Sequence, residues 1–470
     1  MSGTATATRP SSHSERRHAD LRASAWFAGG SLLAGVAAVG LGTFAAAAVV
    51  AVALMVLTAM RPVVAVYVYL ATLPFLAGID RDRLLPFVRP NEALLVLLLA
   101  GVLAGAYLRY LRGDEVGLRV HRLDVPLGVF VLLSTLWPIT WMLMRGDVPG
   151  SAELTALLPI CKLTALLILI RATVRSDAQL LPLGRVIMWP AAAIAVVAVL
   201  QTLSFPPVVA LLNTYWRPIG SDPSGVVDRG STTLASSIAT GDYIVIALAL
   251  LVAMIVRDLV GRREQMAVGL TLTAGTLAAG QFSTWASAAV VTAAMLYVYP
   301  RLRRRALRLL PALGVAVLVG LPAFVARLAE FGDSFGVPRS WLGRWDNLVN
   351  FYLPALGEFR WILGVSPNSV LQAPETWREV IYLEYGYLQL LWVGGVPLLA
   401  AFAWLSIELL RQARRMASLP EVVGAYASAL WAAWWMVLLL SVIDIHLVLR
   451  GAGELLFTFI AITTGKSDDR

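Results

Sequence analysis

Apolar runs of roughly 17 to 25 residues recur from Ala25 to Thr464, the length a helix needs to cross the hydrocarbon core of a bilayer. Short polar breaks between them carry most of the charge. The pattern predicts spans over 25–41, 44–60, 62–79, 92–109, 124–144, 154–171, 181–203, 237–256, 265–281, 284–300, 307–326, 384–409, 421–441 and 446–463. The stretch 25–60 also reads as one long tilted helix, so the expectation is about 12–14 spans. In lipid every backbone polar group must be paired within its own segment. The expected fold is therefore all-α, a polytopic transmembrane helical bundle.

Two breaks are longer than the rest, 204–236 and 327–383. The second carries Arg339, Arg344, Arg360 and Arg378 among many aromatics and runs straight into the span that opens Tyr382-Leu383-Glu384-Tyr385-Gly386-Tyr387. Within it, Leu348, Phe351, Tyr352, Ala355, Leu356 and Phe359 recur at near-helical spacing, which predicts an amphipathic helix over 347–359 lying at the interface. Arg360 to Ser369 reads as a Gly/Ser/Pro/Asn turn. The organisation that follows is a tail (1–24), a bundle (25–326) with the outer loop 204–236, a long, partly helical extracytoplasmic loop (327–383), C-terminal helices (384–464) and a short tail (465–470).

Composition agrees. The chain is 59% hydrophobic and 14% charged, against about 25% charged in soluble domains. Its net charge of +9 comes from clusters between spans, a distribution that sets orientation and gives no reason to expect nucleic acid. Nearly all are arginines, Lys162 and Lys466 being the only lysines. With the N-terminus cytoplasmic, 24 basic residues fall inside and 12 outside. That bias predicts cytoplasmic N- and C-termini. The Ser/Thr-rich first 24 residues are followed by an apolar stretch too long for a cleaved signal peptide. The single cysteine, Cys161, excludes an intramolecular disulfide.

Glycine loops of nucleotide-binding type and His-Glu-x-x-His spacing are absent, and the histidines at 13, 18, 121 and 446 lack metal-ligand spacing. No cofactor or metal is expected. A reaction on the outer face must then use a substrate that arrives already activated. On the first outer loop, Arg217 follows Trp216, and Arg229-Gly230-Ser231-Thr232 precedes a helix, a setting suited to phosphate. The hydroxyls of Ser236 and Thr240, with Asp242, also read as plain capping groups. Glu384, flanked by Tyr382, Tyr385 and Tyr387, is the sharpest candidate for a general base, with Arg344 or Arg360 as its partner. Trp345 lies beside Arg344. Trp341 and Trp377 read as interfacial-belt residues. Lys162, mid-span, should face the bundle interior and a partner. Asp444, His446, Arg450 and Glu454 gather near the last outer turn and read as a structural ion-pair network.

Taken together these residues resemble the O-antigen ligase and O-antigen polymerase superfamily. The resemblance covers about 220–400. It rests on Arg229-Gly230-Ser231-Thr232, on Phe282-Ser283-Thr284-Trp285-Ala286-Ser287-Ala288, on Arg344-Trp345 with Trp361 to Asn368, and on Glu384-Tyr385-Gly386-Tyr387-Leu388-Gln389-Leu390-Leu391 with Gly394-Gly395. The chain departs from the family pattern twice. Trp285 occupies the neighbourhood of the family's Ser-Arg arginine, and Glu384 stands where ligases place a histidine. The departures favour a polymerase-like or divergent transferase over a typical ligase.

The resemblance implies a metal-independent glycosyltransferase of the bacterial inner membrane acting on undecaprenyl-pyrophosphate-linked glycans. Glu384, Arg344 and Arg229 would be catalytic. Arg217, Arg339, Arg360, Trp345, Tyr385, Tyr387 and Lys162 would bind substrate. A glycan or lipid-linked acceptor, membrane lipid, and flippase and chain-length-regulator proteins would be the partners. A lipid-linked oligosaccharide flippase or other polysaccharide transporter is the alternative. A peptidoglycan-polymerising protein of the shape–division class shares the span count without its motifs.

Overall fold

A computed structural model describes residues 43–85, 88–114, 121–217, 229–300, 302, 339–357, 359–373 and 379–465. Among these, helices α1 (Thr43–Met60), α2 (Val63–Leu76), α3 (Pro90–Leu111), α4 (Asp124–Met144), α5 (Ser151–Thr173) and α6 (Asp177–Thr202) lead to a short α7 (Pro206–Tyr215). Then come α8 (Ser237–Val256), α9 (Arg262–Ala278), α10 (Phe282–Val298), α11 (Arg339–Asn347) and α12 (Arg360–Leu363). A two-stranded hairpin, β1 (Val370–Ala373) and β2 (Glu379–Tyr382), precedes α13 (Gly386–Met416), α14 (Val422–Leu440) and α15 (Ala452–Gly465).

Seven of these helices (α3, α4, α5, α6, α8, α13 and α14) are long and apolar enough to cross a membrane, and α1, α2, α10 and α15 are shorter apolar helices. The chain is an all-α polytopic membrane bundle. Large apolar side chains on its outer surface, such as Val96, Leu103 and Leu136, are 62–67% exposed. In water such a surface would aggregate; in lipid it costs nothing. The expected spans 25–41 and 307–326, the tail 1–24 and most of 465–470 lie outside the described residues.

Three differences from the expected elements have clear causes. The span expected over 384–409 starts at Gly386 and runs on to Met416, because Glu408, Arg411, Arg414 and Arg415 extend a helix into the polar region after its apolar stretch ends. The loop 204–236 contains α7, whose Pro206 and Pro207 occupy the first helical turn, where a missing N–H costs nothing. The interfacial helix expected over 347–359 is a π-helical turn (Leu348–Tyr352) and one further turn (Leu353–Ala355). Its inner stripe survives, since Leu348, Tyr352 and Leu356 are buried, but Phe359 is 73% exposed.

At the centre stands α8, which packs against α6, α9, α10, α14 and α15. Nearly all of α15 is buried. A second, smaller core lies under the 339–385 segment and joins Leu348, Tyr352, Leu356, Ile381, Leu383 and Trp392. Tyr352 fastens it, its single hydroxyl proton shared between the carbonyls of Ser369 (2.7 Å) and Ile381 (2.8 Å).

Gly395 ties that segment to the bundle. Its φ of +67° kinks α13, and a Cβ there would come within 2.2 Å of the Ile362 carbonyl oxygen. A side chain would be excluded both by conformation and by space. The kink seats the 360–365 turn against α4. Trp137 and Trp141 donate their indole N–H groups to the carbonyls of Leu363 (3.0 Å) and Gly364 (3.1 Å). Arg145 donates to the Val365 carbonyl at 2.6 Å.

Candidate functional site

The bundle end that carries 339–385 also gathers the C-terminal ends of α2, α6 and α14 and the N-terminal ends of α3, α8, α13 and α15. The loop 441–451, between α14 and α15, is the hub of this end. Three of its residues each reach a different element.

The first is Asp444. Arg344, near the end of α11, places Nη2 3.1 Å from Asp444 Oδ2 and Nε 2.8 Å from Glu384 Oε2. Its Nη1 donates to the Ile443 carbonyl at 2.9 Å. Of the two partners expected for Glu384, the structure supplies Arg344. Glu384 itself lies two residues before α13 begins, and its side chain is 37% exposed while that of Arg344 is 19% exposed. A carboxylate 37% exposed and held by a partly buried guanidinium is oriented yet reachable. Tyr385, half-buried beside this pair, has its phenol pushed up by burial and by the Glu384 charge, with Arg344 opposing.

The second is His446. Its Nδ1 lies 2.6 Å from Asp242 Oδ2, and both side chains are fully buried. Asp242 Oδ1 accepts the Ser287 hydroxyl at 2.9 Å. Burial pulls the imidazole down, but the Asp242 charge and hydrogen bond, aided by Asp444 and opposed by Arg344, leave it above the ordinary histidine value. His446 Nε2 is buried without a partner. Ser287 belongs to the small-residue segment opening α10, so that segment's role here is to fasten α10 to α8 and to the hub loop.

The third is Arg450, whose Nη2 lies 3.2 Å from Asp80 Oδ1 just beyond α2. Two residues into α15, Glu454 meets Lys162 of α5 at 2.5 Å and accepts the Gly451 N–H at 2.7 Å. The interior partner expected for Lys162 is thus Glu454.

The Arg229-Gly230-Ser231-Thr232 segment is stitched into the same end. Thr232 N–H donates to Gln201 Oε1 (2.9 Å), and Gln201 Nε2 donates to Ser231 Oγ (3.0 Å). Thr233 donates to the Pro74 carbonyl at 2.7 Å. This contact is close because Gly78 lacks a side chain: a Cβ there would come within 2.1 Å of Thr233 O. Ser236 caps α8 by accepting the Ala239 N–H, and Thr240 donates back to the Ser231 carbonyl. The capping expectation holds for Ser236 alone: Thr240 ties the first turn of α8 to the Ser231 carbonyl and the Thr232 hydroxyl, and Asp242 pairs with His446.

The other expected positions are dispersed. Arg229 and Tyr385 are half-buried, Arg360 is exposed, and Trp345 is 62% exposed. Tyr387 spends its hydroxyl on the Leu438 carbonyl at 2.5 Å, a helix-to-helix tie. Arg217 is half-buried, its Nε finds no acceptor, and its carbonyl accepts from Arg83 at 2.8 Å. Arg339 heads the first turn of α11. Arg378 and Trp377 lie outside the described residues.

Compared with known proteins, the chain matches no family model, no curated protein and no solved structure.

Proposed function

We propose that the chain is a metal-independent glycosyltransferase that extends or transfers lipid-diphosphate-linked glycans, with this loop-bearing end on the outer side of a bacterial cytoplasmic membrane and both termini in the cytoplasm. The observation that carries the reading is the Arg344–Glu384–Asp444 cluster at the mouth of the bundle. Glu384 takes a proton from the acceptor sugar's hydroxyl as that oxygen attacks the donor's anomeric carbon. Arg344 holds the carboxylate in place. The bond to the diphosphate breaks as the new glycosidic bond forms, and the charge left on the departing lipid diphosphate is met by guanidinium groups at this end. Arg229, Arg217, Arg339 and Arg360 are the sequence-derived candidates for that task. The apolar outer surface of the bundle accommodates the prenyl chain.

Single replacements Glu384→Gln, Arg344→Met and Arg229→Gln test the reading in cells by the length of surface polymer, with protein abundance measured alongside. Shortened or absent polymer at normal abundance is expected. Normal polymer with all three variants would contradict it.

A further inference from the structure

Arg344 commits its fork to Glu384, Asp444 and the Ile443 carbonyl, so two carboxylates outnumber it. An incoming diphosphate would meet more negative than positive charge there. Around Arg450 the balance is reversed. Arg450 reaches Asp80, and Arg81 Nη2 lies 2.9 Å from Glu92 Oε1. Arg89 stands near both arginines, at the start of α3. Burial, then Arg450 and Arg81, pull its guanidinium down to about 10, with Glu92 and Asp80 opposing. Three arginines thus share two carboxylates.

Glu92 is itself divided. Its Oε1 takes Arg81, while Oε2 accepts the backbone N–H of Arg89 at 3.1 Å. The Nε atoms of Arg89 and Arg81 are buried with no acceptor. Asn91, in the first turn of α3 and 1% exposed, faces the buried Tyr69 hydroxyl instead. A crowd of buried donors short of acceptors is costly unless an anion completes it. Guanidinium forks suit phosphate oxygens in a bidentate way, and three forks suit the many oxygens of a diphosphate better than those of a monophosphate.

We propose that Arg81, Arg89 and Arg450 form an anion subsite for a diphosphate group. It shares the hub loop with Asp444, so a diphosphate bound there sits at the same end as Glu384. The diphosphate chemistry stands on the geometry alone. Its source as the transferase's leaving group rests on the function proposed above.

Titration calorimetry on the full-length chain in phosphate-free detergent tests this with inorganic phosphate, inorganic pyrophosphate and a short isoprenyl diphosphate. Pyrophosphate should bind more tightly than phosphate. Arg89→Gln and Arg450→Gln should each weaken it about tenfold or more. Arg411→Gln, an exposed arginine of α13 paired with Glu408, should leave it unchanged. Asp80→Asn, which frees Arg450, should strengthen it, an outcome that misfolding does not mimic. Equal binding of pyrophosphate and isoprenyl diphosphate means the phosphates alone are read; tighter isoprenyl diphosphate means the lipid is the source. Both support the subsite. Absence of diphosphate binding, or binding unchanged in both Arg89→Gln and Asp80→Asn, overturns it. The subsite and the transferase reading fail separately. Normal polymer from Glu384→Gln removes the latter and leaves Arg89-dependent binding intact.

Discussion

Replacing His446 with leucine should loosen the hub loop by a calculable amount. The substitution keeps bulk but removes the partner of a fully buried carboxylate, leaving Asp242 with only the Ser287 hydroxyl. Breaking a buried ion pair from one side costs about 3–5 kcal/mol. At about 1.4 kcal/mol per tenfold, that lowers protection of the loop by a factor on the order of 10² to 10³. Hydrogen exchange of 441–451 at neutral pH reads this directly. Adding Asp242→Asn should recover part of the loss, because the orphaned charge disappears, so the two substitutions should be non-additive. The native pair should also titrate. His446 is raised in the folded state. Its stabilising contribution is therefore fully present below the ordinary value of about 6.5 and fades as pH rises through the raised value. Loop protection in His446→Leu equal to wild type, or a double variant no better than the single one, would refute the reasoning.

Other consequences follow from the same contacts. Arg344→Met leaves Glu384 and Asp444 without their shared cation, so polymer formation should fall at normal protein abundance as the carboxylate loses its fixed orientation; transfer identical to wild type would count against the arrangement. Gly395→Ala forces a Cβ against Ile362 O at a positive φ and should cost roughly 1–3 kcal/mol, seen as lost protection at 360–365. Lys162→Met strands Glu454 and should destabilise α15 by about 3–5 kcal/mol, while Lys162→Met with Glu454→Gln should regain most of it; thermal melting of the three variants decides.

Helix positions were legible because a bilayer imposes length. The span expected over 124–144 is Asp124–Met144, and that over 237–256 is Ser237–Val256. The hairpin Val370–Tyr382 and the π-helical turn were not, since strands of four residues and a register shift leave no periodicity to count. The site was half legible. Glu384, Arg344 and Lys162 stand out in sequence as charges where charge is expensive. Their actual partners, Asp444 and Glu454, stand in the sequence only as part of a cluster near the last outer turn. In the sequence Asp242 fits a capping residue because of its place near a helix start; its partner is about 200 residues away. In the sequence Arg81 and Arg89 are simply two of the twelve basic residues on the outer side. A tally of arginines cannot say which ones the fold leaves short of acceptors.

The most direct measurement uses the purified chain in proteoliposomes supplied with a lipid-diphosphate-linked oligosaccharide on one side. The account predicts longer or transferred glycan and released lipid diphosphate with the wild type, and neither with Glu384→Gln. Translocation of unaltered lipid-linked sugar, or undiminished transfer by Glu384→Gln, would contradict it.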